Sequence, residues 1–210
     1  VFTPEFSYFS HTGTGEKFCG DTCRSFFDGK GNFYVILSDG MGSGQRAALD
    51  SVMTVSLMQK LLTAGFSAEC AAENVNWALM IKSDVETLAT LDMLKINLYT
   101  GNAEFYKAGA VFSVVIKGDR TAVVEQSSLP LGILRDAQIK KTQLDLSERD
   151  CVLLISDGAA VLAPEQFKKI FHSKKADTPE KKVRAVVKKI TFHIKNIQHL
   201  FHKKHPYIKP

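Results

Sequence analysis

Three aspartates stand beside glycines, and two of them end apolar segments. Asp21 follows a glycine, whereas Asp39 and Asp157 each close an apolar run and precede a glycine. A carboxylate at the end of a buried strand is costly unless it is paired or bound to a cation, and no matching set of Lys or Arg lies nearby in the sequence. Oxygen ligands of this kind suit Mg²⁺ or Mn²⁺. Two such ions can activate water and hold a phosphoryl group, so the pattern favours metal-dependent hydrolysis.

A simple turn is the alternative interpretation of each Asp-Gly pair, because both residue types are common in turns. That interpretation accounts well for one isolated pair. Two such pairs on apolar segments, with a Gly-Asp pair upstream, favour a shared site over three unrelated turns.

The glycine-rich stretch VILSDGMGSGQRA, residues 35–47, matches no common phosphate-binding or nucleophile motif. A P-loop is absent, and a dinucleotide-binding fingerprint fails because position 45 is Gln. Ser43 does not lie in a G-x-S-x-G motif, and H-E-x-x-H is missing. No Cys is followed by an Arg at the distance that a cysteine-based phosphatase needs. The sequence therefore offers no side-chain nucleophile.

The elements around these aspartates indicate a hairpin followed by two helices. Residues 19–40 predict two strands joined by a tight turn, where Gly29 and Gly31 supply positive φ. Apolar spacing predicts helices over about 45–64 and 67–82, with Ser67 capping the second. Residues 1–18 are expected to form an edge strand and a loop.

Further along, short alternating segments between 90 and 126 predict antiparallel strands, and SSLPLGIL, residues 127–134, predicts a loop. The segment 150–162 predicts another apolar strand that ends at Asp157. Because strictly alternating strand–helix units are absent, the order indicates an α+β fold with antiparallel sheets and helices outside.

Composition divides the chain into an acidic body and a basic tail. Residues 1–167 hold 14 Lys and Arg against 20 Asp and Glu, whereas residues 168–210 hold 13 against 2. A solvated surface is the simplest interpretation of the tail. Contact with an anionic membrane or nucleic acid is one alternative, and a disordered or artefactual end is another. We expect no nucleic-acid partner.

The bulk numbers are those of a globular protein. The 210 residues suffice for one domain with a tail, and no apolar run reaches the roughly 18 residues of a membrane span. The four cysteines fit no metal or redox motif, which favours a reducing compartment. We expect a cytoplasmic domain cut from a longer protein, with any membrane anchor supplied by segments outside this chain.

Several segments resemble the PPM, or protein phosphatase 2C-type, metal-dependent serine/threonine phosphatases. The likeness is carried by GD at 20–21, LSDGMGSG at 37–44 and LLISDG at 153–158, and the spacings between the three aspartates resemble those of the bacterial sporulation branch. YKAGAVFSVVIKG and SSLPLGIL are also similar to that branch. The resemblance implies an αββα sandwich of two antiparallel sheets flanked by helices, within residues 1–167.

The resemblance also implies a site and a partner. Two ions, Mn²⁺ or Mg²⁺, would lie between the sheets, with Asp39 bridging both. Asp21 and the Gly40 carbonyl would bind one ion and Asp157 the other, and a metal-bound water would attack phosphoserine. The implied substrate is a phosphorylated anti-sigma-factor antagonist, and the helices over 45–64 and 67–82 would form a regulatory switch and a homodimer contact.

One family feature is missing from this sequence. The last strand of the family carries an Asp in a D-[DN]-M-T-V-like motif, and the acids after Asp157 (Glu165, Asp177 and Glu180) stand in other contexts. The tail, 168–210, is therefore interpreted as a basic, helical or divergent end. An alternative hypothesis follows: a catalytically impaired pseudophosphatase that acts as a binding or dimerisation module.

Overall fold

A computed structural model describes residues 1–10, 12, 18–42, 44–82, 87–171 and 178–187. Within them, eight strands form two antiparallel sheets. The strands are β1 Asp21–Phe27, β2 Asn32–Asp39, β3 Leu91–Asn97, β4 Asn102–Ala108, β5 Ser113–Lys117, β6 Arg120–Val124, β7 Lys140–Asp145 and β8 Cys151–Leu153. The larger sheet has the order β1-β2-β3-β4-β7, and the smaller has β6-β5-β8.

Helices cover both outer faces of the two sheets. The α-helices are α1 Gly44–Thr63, α2 Ala68–Ile81 and α3 Pro164–Phe171, and residues 179–187 are also helical. Side chains alternate between the two faces of β2. Tyr34 and Ile36 pack with α1 and α2 on one face. Phe33 and Val35 pack against the smaller sheet on the other. A third cluster joins the smaller sheet to α3. The predicted αββα sandwich is therefore confirmed.

Local signals correctly located the hairpin and the first two helices. Gly29 and Gly31 have φ of 72° and 88° between β1 and β2, as the turn prediction required. The Ser67 side chain accepts a hydrogen bond from the backbone N–H of Cys70 at 3.1 Å, which is the predicted N-cap. The helices at 44–63 and 68–81 differ from their predicted bounds by one residue at each end.

Two strand predictions were wrong. Residues 1–10 contain no strand, although the Phe2 N–H donates to the Leu98 carbonyl at 2.7 Å. The strand expected to end at Asp157 ends at Leu153, and Asp157 instead opens a short 3₁₀ helix, Asp157–Ala159. The apolar run continued past the end of the strand because Ile155 packs among the side chains beneath α3.

The β7 strand was not predicted at all. Its sequence, KKTQLD, is mostly polar, and its side chains alternate between exposed and half-buried positions at the edge of the larger sheet. Such an edge strand shows little of the apolar signal on which sequence reasoning depends. Its pairing with β4 closes the sheet on the side away from the hairpin.

The described part of the tail packs on the body. Helix α3 runs across position 167, and Val186 is buried beside Phe167 beneath the smaller sheet. The boundary at 167 stays a prediction, and residues 188–210 of the tail lie outside the described residues. None of the helices in the described ranges is both long and apolar enough to cross a membrane.

Candidate metal centre

A cleft of about 520 Å³ lies where the ends of β1, β2 and β3 meet the segment after β8. Four aspartates line it, namely Asp21, Asp39, Asp92 and Asp157. Among the described residues that line this cleft, none is Lys, Arg or His. The structure thus brings the three aspartates predicted from sequence to one cavity, together with a fourth.

The hairpin places the first two carboxylates. Asp21 and Asp39 are register partners across β1 and β2, so their side chains leave the sheet on the same face. The backbone of Asp39 is held on its other side, where its N–H donates to Thr90 Oγ1 at 2.9 Å and its carbonyl accepts from the Thr90 N–H at 2.8 Å. Asp39 is therefore anchored between two neighbouring chain segments.

Asp157 reaches the cleft from the opposite side of the sandwich. It begins the 3₁₀ helix that follows β8. The preceding residue, Ser156, donates a hydrogen bond from Oγ to Asp21 Oδ2 at 2.8 Å, across a sequence separation of 135 residues. Sequence reasoning missed this serine. It orients the Asp21 carboxylate and ties the two halves of the cleft together.

Electrostatic repulsion within the cleft is visible at Asp39. The pKa of Asp39 is raised to about 7, first by burial and then by the nearby charges of Asp21 and Asp157 and a hydrogen bond with Asp21. A pKa this high means that the protein alone does little to stabilise the ionised form of Asp39. A divalent cation between these carboxylates would remove the repulsion and restore the ionised form.

The backbone carbonyl oxygen of Gly40 lies near the Asp39 carboxylate in the cleft. The position that a Cβ of Gly20 would occupy lies 3.5 Å from both Asp39 Oδ1 and the Gly40 carbonyl oxygen. A Cβ on Gly40 itself would lie 1.9 Å from the carbonyl oxygen of Ala47, in the first turn of α1. Only glycine therefore allows this loop to pack directly against the helix.

The donor set fits a hydrated hard cation. No group of three His, Cys, Asp or Glu side chains converges on a single point within the described parts of the chain. Mg²⁺ is usually held by one or two carboxylates and keeps several of its waters, so it does not need such convergence. The assignment of Asp21, Asp39, Gly40 and Asp157 as metal ligands stays a prediction.

Asp92 is the fourth acidic residue of the cleft, and sequence reasoning missed it. It lies in β3 and is almost completely buried, beside Lys107 and Ser113. Burial raises its pKa, while the charge of Lys107 and hydrogen bonds from both neighbours oppose that shift. A signal did exist, because Asp92 interrupts the otherwise apolar start of this strand.

Two antiparallel sheets flanked by helices, with an acidic cleft between segments of both sheets, define a PP2C-type phosphatase fold. The family model of stage II sporulation protein E (SpoIIE) matches residues 29–198. The chain therefore belongs to the SpoIIE family.

Known relatives agree with this assignment. Stage II sporulation protein E of Priestia megaterium is 29% identical over 150 residues, which is 71% of this chain and 26% of the relative. The solved structure of the PP2C phosphatase domain and a fragment of the regulatory domain of SpoIIE from Bacillus subtilis matches with a TM-score of 0.72 at 26% identity, covering 81% of this chain and 51% of that one. The chain thus spans about a quarter of the length of the P. megaterium relative.

A more distant structure shares the fold. RsbX, solved in complex with magnesium, matches with a TM-score of 0.67 at 19% identity, and the match covers 88% of this chain and 84% of that protein. At this identity the likeness shows the fold alone.

Proposed function

We propose that this chain is a metal-dependent protein-serine/threonine phosphatase domain of the sporulation type. The observation that carries the proposal is the cleft itself, where Asp21, Asp39 and Asp157 stand without a basic side chain among the described lining residues. The fourth aspartate, Asp92, is paired with Lys107 at the cleft wall. A phosphate dianion would be repelled from such a cleft unless cations lay between it and the carboxylates. The raised pKa of Asp39 supports the same conclusion, and so does membership of the SpoIIE family.

Two ions, Mn²⁺ or Mg²⁺, are proposed to bind between the sheets. Asp39 would lie between them, Asp21 and the Gly40 carbonyl would hold one, and Asp157 the other. Such ions polarise phosphoryl oxygens and lower the pKa of bound water. The solved complex of RsbX with magnesium supports a metal in this fold.

The remaining cleft residues orient the ligands and shape the entrance. Ser156 fixes Asp21 through its hydrogen bond, and Thr90 fixes the backbone of Asp39. Met41, Val111 and Pro130 give the cleft apolar walls. Apolar walls keep bulk water away from the carboxylates and provide contact area for the chain that carries the phosphoserine.

The proposed substrate is a phosphorylated anti-sigma-factor antagonist, as the sporulation-type resemblance implied. We further propose that α1 and α2 form a homodimer contact. Large apolar side chains are exposed on both helices, including Val52 at 44%, Trp77 at 47% and Ile81 at 78%. Apolar groups left in water on adjacent helices support a partner surface there.

Hydrolysis with added Mn²⁺ tests the activity directly. The purified chain is expected to release phosphate from a phosphoserine protein and from an aryl phosphate, and EDTA should abolish this release. Asp39→Asn should lower the rate by about 100-fold or more, because the proposed bridging charge is lost. Asp136→Asn serves as the control, since Asp136 is exposed and lies outside the cleft. Equal rates for Asp39→Asn and the parent would reject the proposal.

A pseudophosphatase is the second candidate. One observation favours it: the D-[DN]-M-T-V-like motif is absent from the sequence. Calorimetry with Mn²⁺ separates the candidates. Two bound ions support the phosphatase, whereas one weak site or none supports a binding or dimerisation module.

A further inference from the structure

A buried ion pair lies at the wall of the acidic cleft. Lys107 Nζ stands 2.7 Å from Asp92 Oδ2, and the two side chains are 0% and 2% exposed. Asp92 and Lys107 are direct register partners on β3 and β4, so their side chains share a face of the larger sheet. That face points to the smaller sheet, because Ser113 of β5 donates to Asp92. On its other side, Asp92 is the register partner of Leu37, two residues before Asp39 on β2. The ion pair therefore lies one step along the sheet from the predicted metal ligands.

The hydrogen bonds of this pair engage only one oxygen of the carboxylate. Asp92 Oδ2 accepts from Lys107 Nζ and from Ser113 Oγ, the latter at 2.9 Å. Asp92 Oδ1 is buried and has no hydrogen-bond partner, although Asp92 lines the cleft. An ionised oxygen without a donor is costly in a buried position. A hydrated cation in the cleft would supply such a donor.

Lys107 is fully engaged and cannot reach a phosphate group. Its ammonium has three donors, and they meet Asp92 Oδ2, the Val111 carbonyl at 2.8 Å and Ser113 Oγ at 2.7 Å. The lysine and the serine instead fix the rotamer of Asp92. This arrangement resembles the outer hydrogen-bonding groups that orient ligands around metal ions.

We propose that Asp92 is a positioning residue of the metal centre, whose Oδ1 accepts a hydrogen bond from the hydration shell of the cation held at Asp39. Lys107 and Ser113 hold that oxygen in place. The inference rests on the proposed function, because it requires a hydrated cation in the cleft. It adds a fourth carboxylate to the site, one that acts through water instead of binding the ion directly.

The test removes the carboxylate without leaving its partner charge buried. Asp92→Leu combined with Lys107→Met replaces the ion pair by apolar groups of similar size, a change that buried ion pairs often tolerate. The matched control is Glu104→Leu combined with Lys95→Met. These two residues are also register partners on β3 and β4 and form an ion pair at 2.9 Å, on the face of the sheet that packs against the helices. Circular dichroism and thermal unfolding in EDTA check that both double variants fold.

Calorimetry with Mn²⁺ alone is the readout. We expect the Asp92/Lys107 double variant to bind Mn²⁺ at least tenfold more weakly than the parent, as outer-shell substitutions commonly do. The Lys95/Glu104 double variant should bind with unchanged affinity. Parental affinity in the Asp92/Lys107 variant would overturn this inference alone. Failure of the parent chain to bind Mn²⁺ would overturn the proposed function and this inference with it.

Discussion

Asp21 and Asp39 lie directly opposite each other across the antiparallel strands β1 and β2. Like charges in this position destabilise a sheet. The charge of Asp21 is one of the causes that raise the pKa of Asp39 to about 7, after burial itself. The hairpin therefore holds together two groups that repel each other in the absence of a cation, and this relationship leads to measurable consequences.

Removal of the Asp39 charge is expected to stabilise the metal-free protein. The shift in the pKa of Asp39 corresponds in full to a few kcal/mol of lost stability. Because Asp39 is partly exposed, we expect Asp39→Asn to raise the free energy of unfolding by only about 1–2 kcal/mol at pH 7.5. Urea unfolding in EDTA measures the change. Saturating Mn²⁺ should stabilise the parent and leave Asp39→Asn almost unaffected. A less stable Asp39→Asn variant in EDTA would contradict the repulsion described here.

The same repulsion predicts an unusual pH dependence. The pKa of Asp39 is raised in the folded state, so between about pH 4 and 7 the folded protein holds a proton that the unfolded chain has lost. The contribution of Asp39 to stability therefore falls as the pH rises through this window. In EDTA, the unfolding temperature should therefore fall less between about pH 4 and 7 in Asp39→Asn than in the parent. Identical slopes for the two proteins would refute the assignment.

The close packing of Gly40 predicts a contrast with Gly42. Gly40→Ala would drive a Cβ to 1.9 Å from the Ala47 carbonyl oxygen, so the first turn of α1 would have to move. We expect a loss of more than about 2 kcal/mol in the free energy of unfolding, together with weaker Mn²⁺ binding.

Gly42→Ala is the matched control. Gly42 has a φ of 100° and nothing within 4 Å of its Cβ position, so this substitution should cost only backbone strain of about 1 kcal/mol. Urea unfolding and calorimetry compare the two variants. Equal effects would show that the contact with α1 is unimportant.

Asn76 connects α2 to the loop that carries Pro130 to the cleft. Its side chain accepts from the Gly132 N–H at 2.8 Å and donates to the Leu134 carbonyl at 2.8 Å. Asn76→Ala leaves these partly buried backbone groups without their partners, at a cost of about 1–2 kcal/mol. Because the loop lines the cleft, we also expect a higher KM for a phosphoprotein substrate.

Asn74→Ala provides the comparison on the same helix. The Asn74 side chain is exposed and donates to the Cys70 carbonyl at 2.8 Å, so its removal should change stability by less than about 0.5 kcal/mol. Urea unfolding and steady-state kinetics measure both variants. Similar free energies of unfolding and similar KM values for the two variants would show that Asn76 does not anchor the loop.

The sequence alone determined the elements whose signals are local. The glycines of the first turn, the Ser67 cap and the apolar spacing of the two helices act over a few residues, so they identified the hairpin, α1 and α2 correctly. Antiparallel strands followed from alternation, whereas the sandwich of two sheets was implied by the family resemblance. The aspartates next to glycines also indicated which side chains to examine together, because carboxylates at strand ends call for a cation.

Tertiary structure decided what depends on distant pairing. Strand β7 forms because it finds β4, although its own residues are mostly polar. Ser156 bonds to Asp21 across 135 residues, and Asp92 enters the site only because β2, β3 and β4 align it beside Leu37 and Lys107. Such contacts depend on which strands become neighbours. That choice reflects burial summed over the whole sandwich, and no local pattern records it.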